Sequence, residues 1–346
     1  MESSSAAKFG QCDNPEIIDL PIIDITELDY KTGKKVLDAF VTYGFLYLST
    51  GSTPFTSSLL QRTFNVSASL FALPSDTKRN FWIESATNRG YTGERNEILD
   101  PAHQSAGDLK EAWNFGEFNV NGRLQQGLPA EVAERGAERE LKEFEDACRA
   151  TCERVLELLA LALEVEDKSW FSKRHGRPSG SIVRLLRYPA QKQSDEKADV
   201  GAGAHSDYGS LTLLFQRQGQ RGLEVRDNEG AWKGVEVVPK GCSGDVPPIV
   251  VNIGDLLSYW TNGLLKSTVH RVILPKSAEE DRYSIVYFCH PKDDEGLVAV
   301  PSHVVRDRGD MNEDETVGYG GGSQGKALTA KEHLMRRLEA TYGTRK

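Results

Sequence analysis

His205 and Asp207 stand two residues apart in Ala204-His205-Ser206-Asp207-Tyr208, and His270 follows 63 residues after Asp207. In extended chain, a spacing of two puts His205 and Asp207 on one face. Two imidazoles and one carboxylate from neighbouring strands could cover one face of an octahedral ion. Three positions would stay open, an arrangement suited to iron(II) and dioxygen chemistry. No thiolate belongs to the set, which argues against zinc or a cluster. With a single anionic ligand, such a site keeps positive charge for an anionic co-substrate. A lone His-x-Asp recurs by chance, so its meaning depends on what lies in register with it.

Twelve residues past His270, Arg282-Tyr283-Ser284 opens the run RYSIVYF. Period two puts Arg282, Ser284, Val286 and Phe288 on one face of a strand. An arginine on a barrel's inner wall needs an anion, because a buried unpaired charge is costly. A guanidinium beside a hydroxyl suits the distal carboxylate of a 2-oxo acid that chelates the metal at its other end. In Ile182–Tyr188 the same period aligns Ile182, Arg184, Leu186 and Tyr188. Tyr188 could then reach the co-substrate. Arg184 could face a substrate or pair with an internal acid, and the residue types leave both open.

The elements that must position these groups change character near residue 180. Downstream, short apolar runs are punctuated by Gly, Pro, Asp and Asn: 182–188, 211–216, 223–226, 235–238, 249–253, 268–274, 283–289 and 297–300. Eight short strands at this spacing predict a barrel or double-sheet jelly roll. Upstream, strands are expected over 20–25 and 43–48, and helices over 32–43 and from Pro54 to about Leu73. Residues 84–127 read as irregular. Leu141, Phe144, Cys148, Cys152, Val155, Leu159 and Ala162 make one stripe, predicting a long helix from about Pro129 to Leu163. A last helix is expected over 329–342. The expected organisation is a flexible tail (1–16), an N-terminal mixed α/β region with the long packing helix (17–175), a catalytic core (176–310), and a C-terminal loop and helix (311–346).

The 346 residues carry a formal net charge of −9 and no concentrated basic patch. This speaks against nucleic acid and for a small-molecule partner. No run approaches the length of a membrane span, and the first ten residues carry no secretory signal. The five cysteines (12, 148, 152, 242 and 289) are odd in number and contain no CxxC. They read as reduced thiols in a cytoplasmic setting. Oligomeric state is not legible.

Taken together, His205-x-Asp207, His270 and Arg282-x-Ser284 resemble the isopenicillin N synthase-like family of iron(II)/2-oxoglutarate-dependent dioxygenases. The resemblance extends to Tyr43-Gly44-Phe45, Asn88-Arg89-Gly90-Tyr91, Asp108-Leu109-Lys110-Glu111 and Asn252-Ile253-Gly254-Asp255. It implies a mainly β fold with flanking helices: a double-stranded β-helix (jelly-roll) core with an N-terminal helical region. It implies Fe(II) on His205, Asp207 and His270, 2-oxoglutarate on Arg282, Ser284 and Tyr188, and O2 as oxidant. The implied reaction couples decarboxylation to succinate and CO2 with hydroxylation, desaturation or ring rearrangement of a small molecule.

Within the family the chain is similar to fungal tailoring oxygenases and to the thymine dioxygenase type. That similarity implies Asn88, Arg184, Tyr208 and Phe288 as substrate contacts. Residues 92–130 depart from the thymine pattern, which favours a secondary-metabolite intermediate over a pyrimidine. Gly320 to Ala327 nearly matches a phosphate loop but ends in Ala327, without the hydroxyl such a loop needs. His103, His175, His290, His303 and His333 lack ligand spacing and read as surface or internally satisfied histidines, although His290, at the end of the anchor strand, could line the pocket mouth.

Overall fold

The computed structural model describes residues 15–104, 106–190, 200–242, 246–274, 280–306 and 328–342. The expected tail up to residue 14, Cys12 and the glycine-rich near-match at 320–327 lie outside the described residues.

The elements run β1 (Ile22–Ile23), α1 (Tyr30–Thr42), β2 (Phe45–Leu48), α2 (Ser57–Phe71), α3 (Ser75–Arg79), β3 (Gly90–Thr92), β4 (Glu111–Phe115), α4 (Ala130–Ala133), α5 (Ala137–Ala162) and α6 (Trp170–Arg174). The second half holds β5 (Ile182–Tyr188), β6 (Val200–His205), β7 (Leu211–Gln216), β8 (Leu223–Arg226), β9 (Trp232–Gly234), β10 (Ile249–Ile253), α7 (Asp255–Trp260), β11 (His270–Ile273), β12 (Arg282–Cys289), α8 (His303–Arg306) and α9 (Ala330–Tyr342).

Two sheets result. One has eight strands in the order β1-β2-β10-β7-β12-β5-β4-β3, the other four in the order β6-β11-β8-β9. With flanking helices this is the expected mainly β, jelly-roll architecture. The N-terminal strands β1 to β4 pair directly into the large sheet rather than forming a sheet of their own.

The helices form where the local chemistry directs them. Asp29 caps α1 by accepting from the Thr32 amide at 2.7 Å, and Thr56 caps α2 through the Leu59 amide at 3.1 Å. Each buries an apolar stripe: Val36, Leu37 and Phe40 on α1, Leu59, Phe64 and Leu70 on α2. α1 and α5 cross closely because Gly33 has no side chain; a Cβ there would sit 2.4 Å from the Leu158 carbonyl oxygen. Together α1, α2 and α5 cover one face of the large sheet and complete the main apolar core with Leu185, Leu213, Val251 and Ile285.

Four expectations need correction. The long helix is broken before Ala137, where Gly136 takes a left-handed conformation at φ 83°. The stretch 84–127 is not wholly irregular: β3 and β4 extend the large sheet beside β5. Val200–His205 is a strand that its sequence, VGAGAH, hides behind poor β-formers. Tertiary contact requires those small residues, since a Cβ on Gly201 would meet the Tyr188 ring at 2.8 Å. Finally, 235–238 and 297–300 are not strands. Leu297 and Val300 are buried, but apolar character without a ladder partner does not make a strand.

Candidate active site

The two imidazoles meet because their strands pair. His205 ends β6, His270 begins β11, and the two are direct antiparallel partners. Their ring centroids lie 4.5 Å apart. Asp207 follows β6 directly, just beyond its last paired residue. The segment from Asp207 to Ser210 is held by backbone bonds. The Asp255 amide donates to the Asp207 carbonyl at 2.8 Å, and the Gly254 amide to the Ser210 carbonyl at 2.9 Å. Gly254 must be glycine for this approach, because a Cβ would lie 2.3 Å from the Gly209 oxygen.

Each side chain is aimed by a second contact. The Nδ1 of His205 lies 2.7 Å from the Gly203 carbonyl and that of His270 lies 3.1 Å from the Thr268 carbonyl. Both Nδ1 atoms therefore carry the proton, which leaves the Nε2 lone pairs as donors. Both Nε2 atoms lie 3.7 Å from Asp207 Oδ1. Its other oxygen, Oδ2, accepts from Thr212 Oγ1 and Asn252 Nδ2, both at 2.7 Å. One carboxylate oxygen is thus tied to the large sheet while the other faces the imidazoles.

All three donor atoms lie within 4.8 Å of one another. Burial pushes the His205 pKa down to about 4, with the neighbouring His270 adding to the effect. The ring is neutral near pH 7, as a ligand must be. Burial alone would raise the Asp207 pKa, but the facing imidazoles and the bonds from Asn252 and Thr212 outweigh it and keep it below the usual carboxylate value. Two neutral imidazoles and an ionised carboxylate converging on one point fit a divalent iron.

The same cavity reaches the anchor. Arg282, Ser284, Val286 and Phe288 all line it, as does Tyr188. Arg282 is buried, and its Nε donates to the Arg221 carbonyl at 3.0 Å. Nη2 reaches Gln216 Oε1 at 3.2 Å, and the guanidinium sits 4.8 Å from the Tyr188 ring centre. Among the described residues no carboxylate forms an ion pair with it. Burial lowers its pKa for want of one. A buried guanidinium held by neutral acceptors, beside the Ser284 hydroxyl, fits an anionic carboxylate.

Asn88, Arg184, Tyr208 and Phe288 line this cavity too. Asn88 holds a left-handed conformation at φ 55°, which asparagine tolerates better than most residues. Its Oδ1 accepts from Asn114 Nδ2 at 3.1 Å. Arg184 does both things its type allowed: it lines the cavity and its Nη2 contacts both Glu97 oxygens at 2.6 Å. Tyr208 is stacked under the Arg337 guanidinium of α9, 4.5 Å from the ring centre.

Several lining residues escaped the sequence reading. Glu97, Lys110 and the α9 residues Leu334 and Leu338 all line the cavity, and so does His290, for which the sequence left that place open. Lys110 belongs to the quoted Asp108–Glu111 segment, so a signal existed. His290 extends the alternation of β12, the one clue that it shares the face of Arg282. Its buried Nδ1 has no partner among the described residues. His103 and His303 are largely exposed, and His175 is half-buried and bonded at both nitrogens.

Known proteins carry the same pattern. Residues 179–291 match the 2OG-Fe(II) oxygenase superfamily, and residues 20–131 match the N-terminal region described as non-haem dioxygenase in morphine synthesis. The clavatol oxidase claD of Penicillium crustosum is 31% identical, over 93% of this chain and 96% of its own. The 2-oxoglutarate-Fe(II) type oxidoreductase hxnY of Emericella nidulans is 35% identical over 70% of this chain and 69% of its own. The full-length thymine hydroxylase of Neurospora crassa, solved with alpha-KG and thymine, superposes with a TM-score of 0.73 at 30% identity, covering 93% of this chain and 96% of that one. The chain belongs to the 2OG-Fe(II) oxygenase superfamily and is a 2-oxoglutarate-dependent dioxygenase that works with Fe(II), 2-oxoglutarate and O2.

Proposed function

We propose that the chain oxidises a secondary-metabolite intermediate, with His205, Asp207 and His270 holding iron. In this reading Arg282, Ser284 and Tyr188 hold 2-oxoglutarate, and Asn88, Arg184, Tyr208 and Phe288 contact the organic substrate. The observation that carries it is the opening of the His-Asp-His cluster and the Arg282 guanidinium into one cavity. Bound iron supplies the activation of O2 at the expense of 2-oxoglutarate, which leaves as succinate and CO2.

The protein's own residues do the rest. Gly203 and Thr268 fix the imidazole tautomers. Asn252 and Thr212 orient Asp207. Arg282 fixes the far end of the co-substrate, so that the cavity mouth stays open to the second molecule. Leu99, Ile182, Phe288, Leu334 and Leu338 give that side an apolar lining that excludes water. Hydroxylation is the simplest outcome, and desaturation or ring rearrangement follows the same first hydrogen abstraction.

A second reading, a pyrimidine methyl hydroxylase, draws on the presence of Asn88, Arg184, Tyr208 and Phe288 around one cavity and on the likeness to the Neurospora thymine hydroxylase. An oxidase on the same scaffold that needs no 2-oxoglutarate is disfavoured by the buried, acid-free Arg282. We assign residues 176–310 as the catalytic core, completed by the four N-terminal strands, and propose a cytoplasmic setting. The buried thiols of Cys148, Cys152 and Cys289 support that setting. No helix among the described residues is long and apolar enough to cross a membrane.

Succinate release measured against a panel of fungal secondary-metabolite intermediates and pyrimidines tests the reading. A secondary-metabolite intermediate that raises succinate and is itself oxidised supports it. Stimulation by thymine alone moves the assignment to the second reading, and product without succinate removes both.

A further inference from the structure

The substrate side of the cavity carries an internally neutralised polar wall. Glu97, Lys110 and Arg184 all line the cavity, with Glu97 and Lys110 no more than 5% exposed. Arg184 contacts both Glu97 oxygens at 2.6 Å, and Lys110 Nζ lies 3.1 Å from Glu97 Oε2. Lys110 also pairs with the fully buried Asp108. Asp108 is itself held by the Gln104 amide at 2.8 Å and the Gly203 amide at 3.1 Å. Gly203 is the peptide whose carbonyl orients His205, so wall and metal cluster share a rigid support.

The charges sum to zero: Arg184 and Lys110 against Glu97 and Asp108. Resting on the iron and 2-oxoglutarate assignment above, the other side also sums to zero. A divalent ion with Asp207 leaves one positive charge, Arg282 adds a second, and the co-substrate brings two negative ones. A substrate carrying a formal charge would be buried here with no counter-charge among the described residues, and burying an unpaired charge costs several kcal/mol.

We infer that Glu97 is a specificity-determining residue: by neutralising Arg184 it tunes the site to an uncharged polar substrate, one with amide, imide, carbonyl or hydroxyl groups, and turns away carboxylates. Removing the Glu97 charge turns the wall into an anion receptor.

The test uses the full chain with Fe(II) and 2-oxoglutarate under anaerobic conditions, reading the metal-to-ligand charge-transfer band and the melting temperature. The probes are two pairs, benzamide with benzoate and uracil with its 6-carboxylate. In the wild type, the neutral member of a pair should bind at least about tenfold more tightly. Glu97→Gln should abolish or reverse that preference, and Glu97→Gln with Arg184→Gln, neutral again, should restore it.

Tighter binding of a carboxylate by the wild type overturns the inference. So does an unchanged preference in a folded Glu97→Gln protein. If no probe binds, 2-oxoglutarate decides: Glu97→Gln should take up a second equivalent where the wild type takes one, and one equivalent in both overturns it. If Glu97→Gln does not fold, Arg184→Gln carries the test with opposite sign. It should prefer benzamidinium to benzamide, and no such preference overturns the inference. Absence of the charge-transfer band in the wild type would instead sink the iron and 2-oxoglutarate assignment, so the two failures are distinguishable.

Discussion

Strand β12 has two faces with opposite tasks. Ile285, Tyr287 and Cys289 point into the main core against the α5 side, while Arg282, Ser284, Val286 and Phe288 point into the cavity. Strand β5 divides the same way, with Val183 and Leu185 on one side and Arg184, Leu186 and Tyr188 on the other. On the core face, Ile285 and Cys289 are packed among apolar neighbours, and one polar atom, the buried Tyr287 hydroxyl, has no partner among the described residues. On the cavity face, among the described residues, the hydrogen bonds of the charged Arg282 go to neutral acceptors and the buried Nδ1 of His290 has no partner. A buried charge held by neutral acceptors alone, facing a cavity, is the condition that an anionic ligand completes. Stability therefore belongs to one face and chemistry to the other, only a few ångströms apart.

Substitutions on the two faces should separate these tasks. The largest effect is expected at the metal cluster. His205→Ala or His270→Ala should reduce succinate formation by at least about 10³-fold, since each removes a ligand whose ion contributes several kcal/mol. The melting temperature of the metal-free protein should move little. Next comes the opposite face. Ile285→Ala, at a fully buried position, should cost about 2–5 kcal/mol of stability in denaturant unfolding. The molecules still folded should keep their KM for 2-oxoglutarate. If Ile285→Ala instead raised that KM while leaving stability intact, the division between faces would be wrong.

Arg282→Ala should raise the KM for 2-oxoglutarate about 100-fold, the loss of charge-assisted bonds worth about 2–3 kcal/mol. Asn252→Ala, which frees one Asp207 oxygen, should weaken iron binding about 10- to 100-fold in equilibrium dialysis. Its effect on the KM for 2-oxoglutarate at saturating iron should be smaller.

The smallest effect concerns acid. His175 is half-buried beside the segment that follows Asp207, between the Phe171 carbonyl and the Ser210 hydroxyl. Burial pushes its pKa down to about 4. The folded state keeps the neutral ring, while the unfolded chain takes a proton near pH 6.5. Stability is therefore complete above about pH 6.5 and lost as pH falls toward 4, by up to about 2 kcal/mol at pH 5. Thermal melts from pH 7.5 to 5 check this, and His175→Gln should flatten the profile.

Much of the site was legible without coordinates, for a physical reason. Metal ligands and anion receptors need particular atom types, and strand alternation is a strict period of two. That is why Arg282, Ser284 and Phe288 could be placed on one face from spacing alone. Long amphipathic helices were legible because their stripes are local, and strands β7 and β12 because their residues are largely apolar, with β-branched or aromatic side chains.

What the tertiary structure alone decided lies where contacts join distant segments. Strand β6 is unreadable as VGAGAH because its glycines answer to Tyr188 and Gln104 rather than to local propensity. The segment that carries Asp207 is held in place by Gly254 and Asp255, some 47 residues further on. Glu97 carries no motif, yet it decides whether Arg184 presents a charge. The sequence determined which groups could bind iron and a keto acid, because those are properties of side chains. Which of the remaining charges neutralise one another could be decided only by the fold, because pairing depends on distances between residues far apart in the chain.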